Sequence, residues 1–176
     1  MSLNIRKCPI CTSKRYRIKF LKDGFDIVKC RACSHVFVLN TRGTTDSNFN
    51  KDININAYKP RHLQIINLIK LVFNKPDKII KIAEIGAGYG HLAKLMSKEE
   101  IFNYDGFELS VGRADFCQRN GLNVVNELFS ISDRKYDVII MDNVLEHVSN
   151  PIEIIDTIEK SLNNSGIFIC IVPNIF

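Results

Sequence analysis

Apolar and polar positions follow two alternating patterns through most of the chain, and both repeat in a regular order. Continuous or alternating apolar runs, which are typical of buried strands, occur at 79–85, 103–108, 122–125, 136–142 and 166–172. Apolar residues three and four positions apart, which predict amphipathic helices, occur at 61–73, 90–98, 111–119 and 151–162. Alternation of strands and helices predicts an α/β domain with a parallel, doubly wound sheet over residues 61–176.

Residues 1–52 do not follow this pattern, and we predict that they form a separate small module. They carry two C-x-x-C pairs 18 residues apart, formed by Cys8, Cys11, Cys30 and Cys33. This spacing is typical of a closed structural zinc site with four thiolate ligands. The strand-like segments between the pairs predict a short hairpin, and therefore a zinc-ribbon-like module.

Two alternatives for the cysteine module stay open. The pairs could be redox centres, and His35 could replace one thiolate, although we interpret His35 as a surface or packing residue because four thiolates already fill a tetrahedral site. Residues 53–60 are rich in Asn and end in Pro60, which predicts a linker to the α/β domain.

Composition narrows the class of protein. Of the 176 residues, 45% are hydrophobic and 24% are charged, which is the profile of a globular protein. No apolar run approaches the ~20 residues of a membrane-spanning helix. The polar, cysteine-bearing N-terminus is unlike a signal peptide, so we expect a cytoplasmic protein whose paired cysteines bind metal.

Charge is distributed unevenly between the two parts of the chain. Residues 1–60 hold 12 Lys and Arg against 4 Asp and Glu, whereas residues 61–176 hold 12 against 15. The N-terminal part is therefore strongly basic, which indicates an anionic partner.

The segment 81–95 indicates a cofactor site. An apolar strand containing Glu84 is followed by Gly86, Gly88 and Gly90 and then by a helix. Glycine lets the backbone approach a ligand closely, because it has no Cβ. The dinucleotide pattern G-x-G-x-x-G would require a third glycine where this chain has His91. A cofactor without phosphates needs only the turn and an acid for its cationic end, which Glu84 supplies.

Three segments, taken in order, resemble the class I S-adenosylmethionine-dependent methyltransferases. The acid, apolar residue and G-x-G-x-G at 84–90 resemble motif I of that family. Glu108 ends the next predicted strand, 24 positions after Glu84, where such folds place an acid on a ribose diol. The run 136–151 is similar to the family's fourth strand and its loop L-E-H-x-x-D-P, with Asn150 in place of the Asp.

This resemblance implies the cofactor S-adenosylmethionine and a set of site residues. It implies that Glu108 binds the ribose, that Asp142 and Asn143 face the methionine part, and that Glu127 or the Leu128 backbone contacts the adenine. The full set of expected cofactor-binding residues is Glu84, Gly86, Ala87, Gly88, Gly90, Glu108, Leu109, Glu127, Leu128, Asp142 and Asn143.

The resemblance also places Glu146 and His147 at the methyl-transfer site. His147 is the candidate base, and Glu146 could orient it or bind the substrate; a packing role for His147 stays open. Complete members of the family normally have two further strands after 166–172, so we expect a truncated or minimal form that retains the cofactor half.

The order of cysteine module and methyltransferase domain resembles bacterial enzymes that methylate sugars or other small metabolites. We therefore predict methyl transfer to a small anionic acceptor such as a nucleotide sugar. One alternative is a ribosomal RNA methyltransferase whose basic ribbon recognises RNA, with Tyr16, Phe20 and Phe25 available to stack on bases. Another is a non-catalytic S-adenosylmethionine-binding protein, and the ribbon could serve only as a scaffold. The oligomeric state stays open.

Overall fold

The computed structural model describes residues 7–22, 25–39, 55–74, 78–130 and 134–173. The chain divides into two compact units, one formed by the N-terminal part with residues 149–153 and the other by the remaining residues. Within the described ranges, no helix combines the length and the apolar character needed to cross a membrane. The domain limits 1–52, 53–60 and 61–176 stay predictions.

The N-terminal unit is a small antiparallel sheet. Its strands β1 (Tyr16–Lys22), β2 (Phe25–Cys30) and β3 (Val36–Val38) lie in the order β1-β2-β3. The predicted hairpin is therefore present, and β3 extends it. Apart from two cysteines, the only hydrophobic side chain buried among its described residues is Val28. So small a core stabilises the fold of this unit only weakly.

The second half of the chain contains a five-stranded parallel sheet in the order β6-β5-β4-β7-β8. This arrangement confirms the predicted α/β fold. In chain order the elements are α1 (Ile55–Val72), β4 (Ile80–Ile85), α2 (His91–Met96), β5 (Phe102–Phe107), α3 (Val111–Arg119), β6 (Val124–Val125), β7 (Tyr136–Asp142), a 3-10 turn (Leu145–His147), α4 (Pro151–Ser161) and β8 (Leu162–Ile171).

Both faces of this sheet are buried. Successive side chains of a strand point to opposite faces, and the side chains on each face pack into a separate hydrophobic cluster. Ile82 and Ile140 pack on one face against Ile69 of α1. Ala83 and Ile139 pack on the other face in the cluster that contains Ile158 of α4, which gives three layers. Burial on both sides explains why the central strands read as continuous apolar runs rather than alternating ones.

Two predicted boundaries are wrong. Helix α1 begins at Ile55 rather than at 61, so Pro60 lies inside the helix. Contacts of its first turns with α2 and β7, described below, outweigh the lost backbone hydrogen bond of the proline. Strand β8 begins at Leu162 rather than at 166, and it therefore also includes residues 163–166. Those residues form an irregularity in the pairing of β8 with β7.

Candidate cofactor site

The site lies where the carboxyl ends of β4 and β7 meet. The strand order reverses direction between these two strands, and open α/β sheets bind ligands in the crevice at such a point. The loops after the two strands are in close contact here. A Cβ added to Gly86 would lie 2.4 Å from Cγ2 of Val144, so only glycine fits the first position of the turn.

The glycine turn presents its backbone to the crevice. Gly86, Gly88 and Gly90 have φ angles of 78°, 58° and 70°, a left-handed conformation that glycine adopts readily. A Cβ added to Gly88 would meet no atom within 4 Å. The space beside Gly88 is therefore open, and a ligand can approach the backbone closely there.

Four of the five backbone N–H groups of the turn, residues 86–90, are already bonded within the protein. Those of Gly86 and Ala87 donate to the Phe107 carbonyl at 2.7 and 3.1 Å, and that of Gly90 donates to the Ala87 carbonyl at 2.9 Å. The N–H of Gly88 donates to Oε2 of Glu108 at 2.8 Å. A pyrophosphate is normally bound by N–H groups that point at it. The turn therefore favours a cofactor without phosphates at this position.

Carboxyl groups from three elements converge on the turn. Glu84 and Glu108 are 4% and 6% exposed, and the side chain of Asp142 is 6% exposed. Oε1 of Glu108 accepts the N–H of Ser110 at 2.8 Å, so backbone groups hold both oxygens of this carboxylate. A concentration of buried acids attracts a cationic ligand and repels a phosphate.

Glu84 has the most perturbed of these carboxyl groups. Its pKa is raised to about 8, mainly by burial; a hydrogen bond from the Tyr104 hydroxyl lowers this pKa, and the nearby Asp142 and Glu108 raise it. Buried acids with shifted pKa values in a cleft are typical of functional sites.

Asp142 links the end of β7 to the start of α1. Its Oδ2 lies 3.0 Å from Nε of Arg61 and 3.4 Å from Nε2 of His62, and its Oδ1 accepts a hydrogen bond of 3.0 Å from the Asn143 amide. Asn143 itself has a φ of 53°, which asparagine tolerates better than most residues. The sequence located Asp142 and Asn143, but it gave no role to Arg61 or His62. An adjacent Arg-His pair in the first half of an amphipathic helix was the available signal.

The first turns of α1 also contact the start of α2. The Tyr58 ring stacks with the rings of His62 and His91, at centroid distances of 6.2 and 6.3 Å. The Arg61 guanidinium lies 5.0 Å from the centre of the same ring. Burial, with smaller effects from His62 and Lys94, lowers the pKa of His91. These contacts explain why the helix extends through Pro60.

The other predicted site residues are more exposed. Nε2 of His147 lies 3.9 Å from Oε1 of Glu146 on the 3-10 turn, and the His147 side chain is 73% exposed. Leu109 and Leu128 are each 66% exposed, and Glu127 is also exposed. Their roles stay predictions.

No role was predicted from the sequence for Asn126, which follows β6 and connects it to the end of β5. Its side-chain amide donates to the carbonyls of Glu108 and Leu109 at 2.9 and 3.0 Å. No sequence pattern distinguishes this asparagine from an ordinary loop residue.

The four N-terminal cysteines form a second candidate site built from two matching loops. In each loop the N–H four residues after the first cysteine bonds to its carbonyl, from Thr12 to Cys8 at 2.9 Å and from Ser34 to Cys30 at 3.2 Å. Thr12 and Ser34 both have a positive φ, of 57° and 64°. Two loops of the same form direct their thiols toward one point.

The sulfur geometry fits a tetrahedral metal. All four Sγ atoms of the cluster lie within 4.8 Å of one another. Cys8 and Cys33 are 3.6 Å apart, and Cys11 and Cys30 are 3.5 Å apart. Tetrahedral zinc with Zn–S bonds of about 2.3 Å would separate its sulfurs by about 3.8 Å, whereas a disulfide requires about 2.05 Å.

Two thiols of the cluster have pKa values shifted in opposite directions. Although the backbone N–H of His35 lowers the pKa of Cys33, burial and the neighbouring cysteines raise it to about 12. The backbone N–H of Cys33 is the main cause that lowers the pKa of Cys30 to about 6, which favours the thiolate form that binds metal. His35 lies outside the cluster and stacks on Phe37, with ring centroids 5.9 Å apart. Its packing role agrees with the interpretation from sequence.

Comparison with known proteins identifies the family of the α/β domain. A family described as "Methyltransferase domain" matches residues 58–176. The plantazolicin methyltransferase BpumL, solved with a pentazolic desmethylPZN analog and SAH, has a TM-score of 0.60 at 20% identity. That alignment covers 71% of this chain and 50% of BpumL.

A second solved structure has the same fold. Coclaurine N-methyltransferase, bound to N-methylheliamine and SAH, has a TM-score of 0.52 at 17% identity, and the alignment covers 69% of this chain and 38% of that enzyme. The chain thus spans half the length of these structures or less. Among curated proteins, nothing matches this sequence.

Proposed function

Because the chain belongs to the methyltransferase domain family, we propose that it binds S-adenosylmethionine and transfers its methyl group to a small anionic acceptor. One observation carries the cofactor assignment. The glycine turn uses four of its five N–H groups internally and lies among three buried carboxyl groups. Such a site suits a ligand that has a sulfonium and an ammonium and no phosphate.

Each part of the cofactor has a matching group in the chain. Glu108 would accept the ribose hydroxyls, since each carboxylate oxygen can accept a second hydrogen bond beside its backbone N–H. Glu84 and Asp142 would face the cationic methionine end. Leu109 and Leu128, both exposed and apolar, would enclose the adenine, and the open space beside Gly88 would let the cofactor approach the turn.

The bound cofactor would supply an electrophilic methyl group. The chain's residues would align the acceptor and remove its proton, and alignment contributes most of the rate enhancement of such displacements. His147 would accept the proton, because its exposed imidazole lies on the 3-10 turn that follows β7. Glu146, 3.9 Å away, would orient this imidazole.

The cysteine cluster would hold zinc in a structural role. Four thiolates leave no open coordination position for a substrate, and the N-terminal unit has few buried apolar side chains of its own. Zinc binding would therefore supply most of the folding free energy of this unit.

A nucleotide sugar or another anionic metabolite suits the basic N-terminal unit. Arg17 and Lys19 are exposed on β1 next to Phe20, whose exposed fraction is 50%. The test is binding of nucleoside diphosphate sugars to the chain, measured calorimetrically with and without Arg17→Glu and Lys19→Glu. Weaker binding in these variants, and methyl transfer to a bound sugar by the unmodified chain, are the expected results.

Exposed Phe20 beside basic side chains also fits the alternative of RNA recognition. Tyr16 is less suited to stack on a base, since its ring packs edge-on against Phe37 at 6.0 Å. The side chain of Phe25 lies outside the described residues. An RNA methyltransferase would bind RNA more tightly than any nucleotide sugar, with an affinity that falls steeply as salt rises. That result would replace the small-acceptor proposal.

A further inference from the structure

Glu84 differs from the other two carboxyl groups at the turn in its partners. Glu108 is held by two backbone N–H groups, and Asp142 is held by Arg61 and His62. For Glu84, the part of the chain that the structure describes supplies only the neutral Tyr104 hydroxyl. Glu84 is therefore the carboxyl group whose charge a cationic ligand would balance.

The pair of Glu84 and Tyr104 is buried on the face of the sheet that packs against α1. Their exposed fractions are 4% and 8%, and the Tyr104 hydroxyl bonds to Oε2 of Glu84. Gly106 makes this contact possible, because a Cβ there would lie 3.0 Å from the Tyr104 hydroxyl. A buried carboxyl group without a cation is more stable in its neutral form. The raised pKa of Glu84, about 8, agrees with this expectation.

We propose that Glu84 and Tyr104 form a proton-exchange site, in which arrival of the cofactor's ammonium expels the carboxyl proton of Glu84. The O–H bond of the acid breaks, its electron pair stays on the oxygen, and the proton goes to the solvent. The charge at the site is conserved, since one cation replaces another, and Tyr104 then donates to the carboxylate. This inference rests on the proposed contact of Glu84 with the cofactor.

Other titratable groups surround Glu84 on every element packed against it. Burial raises the pKa of Cys117 in α3 to about 11 and that of Tyr104 in β5 well above its usual value, so both stay neutral near pH 7. Asp142 in β7 is paired with α1, and Glu108 is bonded to the backbone. The remaining titratable side chains are His62 in α1, which is paired with Asp142, and His91 in α2, for which the test includes a control.

Calorimetric titration in buffers of different ionisation enthalpy counts the protons released on binding. We would titrate the chain at pH 6.5, where a free α-amino group is protonated, with three ligands. They are S-adenosylmethionine, S-adenosylhomocysteine, which keeps only the ammonium, and 5′-methylthioadenosine, which has neither cation. The proposal predicts release of about one proton with the first two ligands and none with the third.

The pH dependence gives a second readout. If Glu84 must lose a proton, the affinity for S-adenosylmethionine should rise about 30-fold between pH 5.5 and 7, as linkage to a group with a pKa near 8 requires. Glu84→Gln should abolish both the proton release and most of this rise. His91→Asn, the matched control, should change neither.

Three results would overturn the inference. The first is binding of S-adenosylmethionine by the unmodified chain without any proton release, which would leave the methyltransferase assignment intact. The second is release with S-adenosylmethionine alone, which would move the contact to the sulfonium. The third is no binding of either cationic ligand, which would refute the cofactor proposal as well.

A second variant keeps the proposal testable if Glu84→Gln does not fold. Tyr104→Phe removes the hydroxyl that stabilises the Glu84 carboxylate, so the ionised form becomes less stable. It should weaken S-adenosylmethionine binding at pH 6.5 several-fold while proton release persists. Unchanged affinity in Tyr104→Phe would contradict a role for this hydroxyl.

Discussion

Replacing Gly88 by alanine separates the cost of folding from the cost of cofactor binding. In the free protein the added methyl group meets no atom within 4 Å, so it causes no clash. The only cost is the left-handed backbone at a φ of 58°, which disfavours alanine by about 1 kcal/mol. For a chain of this length, that loss lowers the melting temperature by roughly 2–4 °C.

Binding should suffer more than folding. The open space beside Gly88 is the surface that we propose the cofactor covers, so a methyl group there would hold the ligand away from the turn. Overpacking of a close contact costs typically about 1–3 kcal/mol. The affinity for S-adenosylmethionine should therefore fall by roughly 5- to 150-fold.

Gly121 provides the matched control. It also has a left-handed φ, of 71°, and open space around its Cβ position, but it follows α3 rather than the glycine turn. Thermal unfolding and calorimetric titration of both alanine variants should show similar losses of stability, with loss of affinity only in Gly88→Ala. Normal affinity in Gly88→Ala, or an equal loss in Gly121→Ala, would refute the placement of the cofactor.

Three further outcomes follow from the same contacts. Cys11→Ser should release the bound metal and unfold the N-terminal unit, as metal analysis and near-ultraviolet circular dichroism would detect, whereas Cys170→Ser, outside the cluster, should leave the metal in place. The pKa of Glu84 is raised from 4.5 to about 8, so the folded state keeps a proton that the unfolded chain has lost. Stability should fall as pH rises between those values, by about 5 kcal/mol at most, and urea unfolding of Glu84→Gln should lack this slope. Gly86→Ala should lower stability more than Gly88→Ala does, because its methyl group would lie 2.4 Å from Val144, and equal melting temperatures would contradict that contact.

The sequence predicts best those elements whose pattern leaves a single interpretation. The bounds predicted for β7 and α3, 136–142 and 111–119, are those observed. Strand β7 is an apolar run buried on both faces, and α3 begins and ends with clear polar signals. The parallel arrangement of the strands followed from the alternation of elements, and the glycine turn was recognisable because few other functions require glycines so spaced.

Contacts between distant parts of the chain could not be predicted in the same way. Arg61 and His62 reach Asp142 about 80 positions away, and no local pattern specifies that pairing. The same contacts carry α1 through Pro60, where local rules predicted a linker. The Tyr104–Glu84 bond depends on the missing side chain of Gly106. Such features depend on how neighbouring elements pack together, and the sequence of a single element does not specify that packing.

Titration of the chain with S-adenosylmethionine, and with NAD as the competing cofactor, tests the central claim most directly. The account predicts that only S-adenosylmethionine binds. It also predicts that Glu108→Gln weakens binding by roughly 10- to 100-fold, as loss of a charged hydrogen-bond acceptor should, while exposed Glu127→Gln has a smaller effect. Binding of NAD, or Glu108→Gln with unchanged affinity for S-adenosylmethionine, would contradict it.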